Sequence, residues 1–440
     1  MSLTKPDKVR TLQRALYGKA KAEPEFRFYQ LYDKVWREDV LAYAYALARA
    51  NRGAPGVDGV TFVEIEKSGR MEWLAGLREE LRTRTYRPQP VRRVMIPKPN
   101  GGERPLGIPT IRDRVVQTAV KLVIEPIFEA DLEPNTHGYR PERSALDAVR
   151  QVHGLLWNGY TDVVDADLSK YFDTIPHAEL MSCVARRIVD RQILALVKMW
   201  LKAPVEERGS DGTRRMTGGR KRMHGTPQGG VISPLLANLY INRFLKHWRL
   251  TERTAAFRAH IVSYADDFVI LSRGFAREAL TWTRGVMARL GLTINEEKTS
   301  VKNARKERFD FLGYTFGPHW RRRDGRRYLG ASPSKSSIGR MKDKASTLLV
   351  PGNRGTWDEV RDDLNAQLHG WAGYFSHGTL RAAYRAVDRH VEERVRAFLA
   401  RRHKVRGQGT AEFSYRAIYG RLGVIRLVQP RDRSQPWALS

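Results

Sequence analysis

The tetrapeptide Tyr264-Ala265-Asp266-Asp267 constrains this chain more than any other feature. Ile261-Val262 precedes it and Phe268-Val269-Ile270-Leu271 follows. β-Branched and aromatic runs around a short polar break predict a β-hairpin. Two adjacent carboxylates then stand at its tip. Nucleotidyl transfer needs carboxylates that hold two Mg²⁺ ions against a triphosphate. Asp is also a common turn residue, so the pair has to be weighed with the rest of the chain.

At 440 residues the chain exceeds one small core and fits two or three domains. Its 41% hydrophobic content supports folded domains rather than a disordered chain. Lys and Arg number 78 against 48 acidic residues, a net charge of +30 spread along the whole length. Such a surplus on a folded protein favours a polyanion partner in an extended basic channel. A membrane surface competes for the same charge. No apolar run approaches the roughly 20 residues that a spanning helix needs. The basic N-terminus lacks the apolar core of a secretory signal. One cysteine, Cys183, excludes an internal disulfide and a zinc site built on Cys pairs. These features point to a cytoplasmic protein with no membrane partner.

Helical spacing covers residues 1–50 and, after a turn-rich break at 51–59, about 63–84. Residues 86–110 read as a Pro-punctuated strand–turn–strand, turning at Pro99-Asn100-Gly101-Gly102. A helix is predicted over 111–130, a strand over 161–168 and one helix from about Pro176 to Trp200. Residues 204–224 form a polar, Gly- and Arg-rich insertion, and Gly225 to Arg243 a Gly turn feeding a helix. After the hairpin at 260–271 come a helix at about 276–290, a short strand at 292–295 and another strand at 309–316. Beyond Gly330, apolar residues such as Val360, Leu364 and Leu368 recur at helical steps. Residues 330–405 are therefore expected to form a separate helical unit, with a basic tail at 406–440.

A second acidic cluster, Asp165-Ala166-Asp167, ends the strand at 161–168 about 100 residues before the hairpin. On a strand Asp165 and Asp167 face the same way. Carboxylates at two separate strand ends can share a metal pair only after folding. Lys98 and Arg104 flank the turn at 99–102 and present two cations suited to a triphosphate. In so basic a chain this pairing is weak alone. Thr226-Pro227-Gln228-Gly229-Gly230 is more specific, because paired glycines let a backbone or a sugar approach closely.

Taken in order, VVDADLSKYFDTI, GTPQGGVISPLLANLY, SYADDFVIL, LTINEEKT and FDFLGYTF resemble the motifs of reverse transcriptases. IPKPNGGERPLGIPTIRDRVVQ, the GAPGVDGVT opening, LNAQLHGWAGYFSHG and the FSYRAIYGRLG tail resemble bacterial group II intron reverse transcriptases and maturases. The likeness runs from about residue 30 to 430. It implies an α+β right-hand polymerase. The N-terminal extension and fingers would cover 1–160. A ferredoxin-like palm with an antiparallel sheet would cover 161–325, with 204–259 returning partly to the fingers. A helical thumb and maturase domain would occupy 330–405, and a DNA-binding segment the tail at 406–440.

By the same resemblance Asp167 is the first metal-binding aspartate, and Asp266 and Asp267 are the acidic pair of the catalytic hairpin. Two Mg²⁺ ions per active site are the implied cofactor. Asp165 is then a neighbour, not a ligand. Phe172 matches the steric gate below the sugar of an incoming dNTP. Lys98 and Arg104 match the residues that hold its triphosphate, and Gln228 the residue beside the nascent base pair. Lys298 matches a palm lysine that protonates the leaving pyrophosphate. Arg401, Arg402, Lys404 and Arg406 are expected to contact phosphates or intron RNA. Trp371, Tyr374 and Phe375 either stack on bases or fill a core.

The implied function is RNA-directed DNA synthesis from a DNA primer or target on an RNA template, with maturase help to splicing and mobility of a host group II intron. Three alternatives remain: an RNA-binding splicing cofactor, a domesticated reverse transcriptase in defence or repair, and, more distantly, a palm-fold cyclase acting on free nucleotides, against which the basic surplus and the thumb argue. Oligomeric state is left open. The chain is expected to lack the C-terminal HNH endonuclease of longer members, and to be cytoplasmic and nucleoid-associated in a bacterium.

Overall fold

The structure, a computed structural model, describes residues 3–97, 102–209, 213–321 and 324–428. The chain divides into two units. The first holds Met1–Ser144, Ala166–Ile270 and Phe275–Ser300; the second holds Ala145–Asp165, Leu271–Gly274 and Val301–Ser440. Among the described residues the strands are β1 (Val91–Pro97), β2 (Glu103–Ile108), β3 (Asp162–Ala166), β4 (Pro204–Arg208), β5 (Arg214–Gly218), β6 (Ala259–Tyr264), β7 (Asp267–Ser272), β8 (Ser300–Asn303), β9 (Phe309–Phe311), β10 (Tyr314–Trp320) and β11 (Arg327–Pro333). Their sheet orders are β2-β1-β4-β5, β6-β7-β3-β8 and β11-β10-β9. No described helix is long and apolar enough to cross a membrane.

The first unit is built around the helix Ile111–Glu129, which is apolar on most faces and buried accordingly. The Thr110 hydroxyl starts it by accepting the Asp113 N–H at 3.1 Å. Helices Asp7–Ala22 and Glu38–Ala50 pack against it. β1 runs antiparallel to β2 and parallel to β4, which turns back into β5. The polar insertion expected at 204–224 therefore supplies two strands, anchored by buried Val205.

Two expected helices are broken. Gly69, at φ 102°, separates Phe62–Ser68 from Arg70–Arg82. The helix expected from Pro176 to Trp200 is His177–Ala185 and Arg191–Leu201. Asp190 causes the break. One carboxylate oxygen caps the second helix, accepting the Gln192 N–H at 2.9 Å and the Ile193 N–H at 3.3 Å. The other accepts the N–H groups of Leu31 and Tyr32, both at 2.9 Å.

In the second unit β9, β10 and β11 form an antiparallel meander. The strand expected at 309–316 is two strands, reversed at Leu312 and Gly313 with φ of 50° and 76°. Helices Lys335–Leu348, Trp357–Tyr374 and Arg381–Arg402 follow. Val360, Leu364, Leu368, Val387, Val391 and Val395 meet in their common core, as the helical spacing required. Phe375 is buried with its ring 5.0 Å from Trp371 and 4.7 Å from Tyr374, which favours the core reading of these aromatics.

Candidate active site

The acidic pair stands where the hairpin reading put it. β6 ends at Tyr264, β7 begins at Asp267, and Ala265 and Asp266 make the turn. Ala265 adopts a left-handed φ of 59°, a conformation that two-residue hairpin loops demand. A neighbouring segment holds this turn in place. Ser263 accepts the His137 N–H at 2.9 Å and donates its own N–H to Asn135 at 3.0 Å. Gly138 then lies so close that a Cβ on it would sit 2.4 Å from the Ala265 nitrogen. Next to it, partial burial raises the Tyr139 phenol above its ordinary pKa; the charge of Asp266 adds to the rise and that of Arg104 opposes it. Asp266, Asp267, Arg104 and Tyr139 thus share one electrostatic neighbourhood.

Asp167 directly follows β3, the strand next to β7. The Gly274 N–H, just past β7, donates to the Asp162 carboxylate at the start of β3, at 2.9 Å. The two strands therefore run in opposite directions, and the end of β3 lies at the same sheet edge as the start of β7. Residues 292–295, expected as a strand, pair with the chain beyond β3. The Asn295 N–H donates to the Asp167 carbonyl at 2.8 Å and the Ser169 N–H to the Thr293 carbonyl at 2.9 Å. The Asp167 carboxylate accepts from Asn295 Nδ2 at 3.2 Å and faces Lys298 Nζ at 3.4 Å. Among the described residues no three His, Cys, Asp or Glu groups form a ready metal cluster. A partly exposed ion pair of this kind stabilises by only about 0–1 kcal/mol, so little holds the Asp167 carboxylate to Lys298. Carboxylate oxygens are the hard donors that Mg²⁺ takes.

The Gly-rich loop closes the other side. Thr226 N–H donates to the Phe172 carbonyl at 2.7 Å and Gly225 N–H to that of Ile175 at 2.8 Å. Gly229, at φ 106°, meets Gly107 so closely that a Cβ would lie 2.3 Å from the Gly107 oxygen. This contact joins the loop to β2. Gln228 then links two charged groups: its Oε1 accepts from Arg104 Nε at 3.0 Å, and its Nε2 donates to Asp173 Oδ2 at 3.2 Å. Phe172 is buried beside Tyr171, 5.8 Å between ring centres. Lys98 lies outside the described residues. Sequence reasoning missed Asp173, Gly138 and Tyr139. Only Asp173 carried a signal, as the neighbour of Phe172.

In the second unit Arg401, Arg402, Lys404 and Arg406 are exposed at the end of the helix Arg381–Arg402 and just beyond it. Arg401, Lys404 and Arg406 line a cleft of about 530 Å³.

The profile of the reverse transcriptase (RNA-dependent DNA polymerase) family matches residues 96–316, half of the chain, and includes every one of the carboxylates just described. The chain belongs to this family. Residues 338–413 of this reverse transcriptase match the group II intron maturase-specific domain. It is thus an RNA-dependent DNA polymerase by family, with an α+β polymerase domain followed by a helical C-terminal region. Protein YkfC of Escherichia coli strain K12 is 36% identical over 340 residues, 69% of this chain and 87% of that protein. The group II intron-encoded protein LtrA of Lactococcus lactis subsp. cremoris is 35% identical over 231 residues, 50% of this chain and 35% of LtrA. The putative COX1/OXI3 intron 1 protein of Saccharomyces cerevisiae is 30% identical over 329 residues, 63% of this chain. The matches span little more than a third of the last two relatives, 35% and 38% of their length.

Proposed function

We propose that the protein extends a DNA primer with dNTPs on an RNA template, and that it assists splicing and mobility of the group II intron that encodes it. The observation that supports the first half is that β3, which ends just before Asp167, neighbours β7, which begins at Asp267, with the two strands running in opposite directions. Asp167, Asp266 and Asp267 are the residues that would hold two Mg²⁺ ions, which when bound acidify the primer hydroxyl and neutralise the triphosphate.

The chain's own groups do the rest by position and charge. Arg104 binds the triphosphate, and Gln228, tied to both Arg104 and Asp173, fixes where the new base pair forms. Phe172 closes the space below the sugar. The 3′-hydroxyl gives its proton to solvent as its oxygen bonds the α-phosphorus and the bond to pyrophosphate breaks; Lys298, already beside Asp167, hands the departing pyrophosphate a proton and regains one from solvent. The net charge of +30 supports a nucleic-acid duplex as the body being held.

Primer extension tests this directly. Purified protein given an annealed DNA primer on RNA, dNTPs and Mg²⁺ should make cDNA, and an Asp167→Asn variant should not. Wild-type protein that binds the duplex yet adds no nucleotide refutes the copying half. The maturase-specific match at 338–413 favours a second reading, an RNA-binding splicing cofactor in which copying is secondary.

A further inference from the structure

Three helices of the first unit end at one cleft. Arg186 caps the C-terminus of His177–Ala185, Lys246 and His247 lie in the closing turns of Ser233–Leu250, and Arg289 ends Ala276–Arg289. With Arg243 they line a cleft of about 330 Å³ whose remaining lining is apolar and which, among the described residues, no acidic side chain lines. Arg186, Lys246 and Arg289 are exposed, and none of the three makes an ion pair among the described residues. Nη1 of Arg243 is buried without a hydrogen-bond partner there. Acidic charge acts from outside the lining. Glu179 influences Tyr240 and Cys183. Asp131, which feels Lys246, is paired with Arg187 at 3.3 Å.

Cations are ordinary at helix C-termini, where they offset the negative end of the macrodipole. The magnitudes separate that role from a second one. Three helix ends carry roughly −0.5 charge each, about −1.5 in all, against four permanent cations. A surplus of about +2.5 is left over. The guanidinium fork matches phosphate oxygens bidentately. Four cations spread over three helices suit a run of phosphates better than a single one. The one aromatic lining group, His247, is stacked on Trp282 at 5.3 Å and is not offered to a base.

We propose that this cleft docks the phosphate backbone of a folded RNA, reading shape and charge rather than base sequence. The proposal rests on RNA being this protein's partner, and it assigns the contact to a surface that carries none of the catalytic carboxylates.

The test uses the full chain with Arg186→Ala, Lys246→Ala and Arg289→Ala combined; Arg243 is left in place because it is half-buried. The probe is a folded RNA transcribed from the DNA flanking the reading frame, titrated at several KCl concentrations. Primer extension on oligo(dT)–poly(rA) runs in parallel. The expected result is about a tenfold or greater loss of RNA affinity and a salt slope shallower by about 2–3, with extension retained. Restoring charge with Arg186→Lys and Arg289→Lys should recover most of the affinity. Unchanged affinity and slope overturn the proposal. So does loss of extension together with affinity, because the cleft would then not be separate from copying. Poly-glutamate binding that the triple variant loses while keeping RNA affinity overturns it in favour of an acidic protein partner. Wild-type protein that docks the RNA through this cleft but copies no template would sink the polymerase reading and support this one.

Discussion

The proposed gate against a 2′-hydroxyl is the ring of Phe172. It is buried against Tyr171 and its carbonyl holds the loop that carries Gln228. Phe172→Ala keeps that backbone bond and removes only the ring. Discrimination against ribonucleotides should fall by about 100-fold, about 2.7 kcal/mol, measured as the ratio of kcat/KM for dNTP and rNTP. Equal discrimination in both enzymes removes Phe172 from the gate role. Gly138 acts by space alone. A methyl there meets the Ala265 backbone at 2.4 Å, so Gly138→Ala should shift the acidic turn and cost about 1–3 kcal/mol of stability. A displacement near 1 Å at a reacting centre costs on the order of 10²-fold in rate, and primer extension should drop accordingly while duplex binding persists. The two residues differ in how far the sequence disclosed them. Phe172 sits five places after Asp167 in a local motif. Gly138 matters only because folding brings it to a turn more than 120 positions away, and nothing beside it in the chain says so.

His177 shows how one element is clamped to the next. The imidazole Nε2 donates to the Gly225 carbonyl at 2.7 Å, and the His177 N–H donates to Met223 at 2.9 Å, fixing the approach to Gln228. Burial lowers the pKa of His177 below 6.5; the Gly225 bond opposes this, and the charges of Arg222, His224 and Lys202 lower it further. The unfolded chain therefore binds this proton first as pH falls. The stability from a neutral His177 is fully present above pH 6.5 and is lost as pH drops from there through the depressed folded value. His319, His377 and His390, also held low by burial, act in the same direction. Thermal melting between pH 7 and 5 should show falling stability, and His177→Gln should flatten the fall by up to about 1.4 kcal/mol per pH unit. An identical pH profile in the variant would mean that His177 does not titrate on unfolding. Elements were legible where apolar spacing was continuous, as in Ile111–Glu129. Breaks were not. Asp190 ends one helix run because it must also bind the N–H groups of Leu31 and Tyr32, partners some 160 residues away.

Charge and partition govern the molecule as a whole. The +30 surplus and the order of the motifs were plain from the chain alone. The placing of Asp167 next to the acidic pair came from the resemblance alone, because residue spacing says nothing of β3 lying beside β7. Asp167, Asp266 and Asp267 all belong to the first unit, whereas the maturase-specific match at 338–413 lies wholly in the second. Copying and splicing should therefore separate. Asp266→Ala with Asp267→Ala removes two negative charges, taking the formal balance from +30 to +32. Long-range attraction for RNA is then preserved or strengthened. cDNA synthesis should fall by about 10³-fold or more, about 4 kcal/mol in barrier height, while the rate of intron splicing measured with the same preparation stays at the wild-type value. Loss of both activities, in a double variant that melts at the wild-type temperature, would tie splicing to the acidic turn itself and refute the partition. The discriminating measurement is the pair of rates from one preparation, since a folding defect lowers both together and a catalytic one lowers only the first.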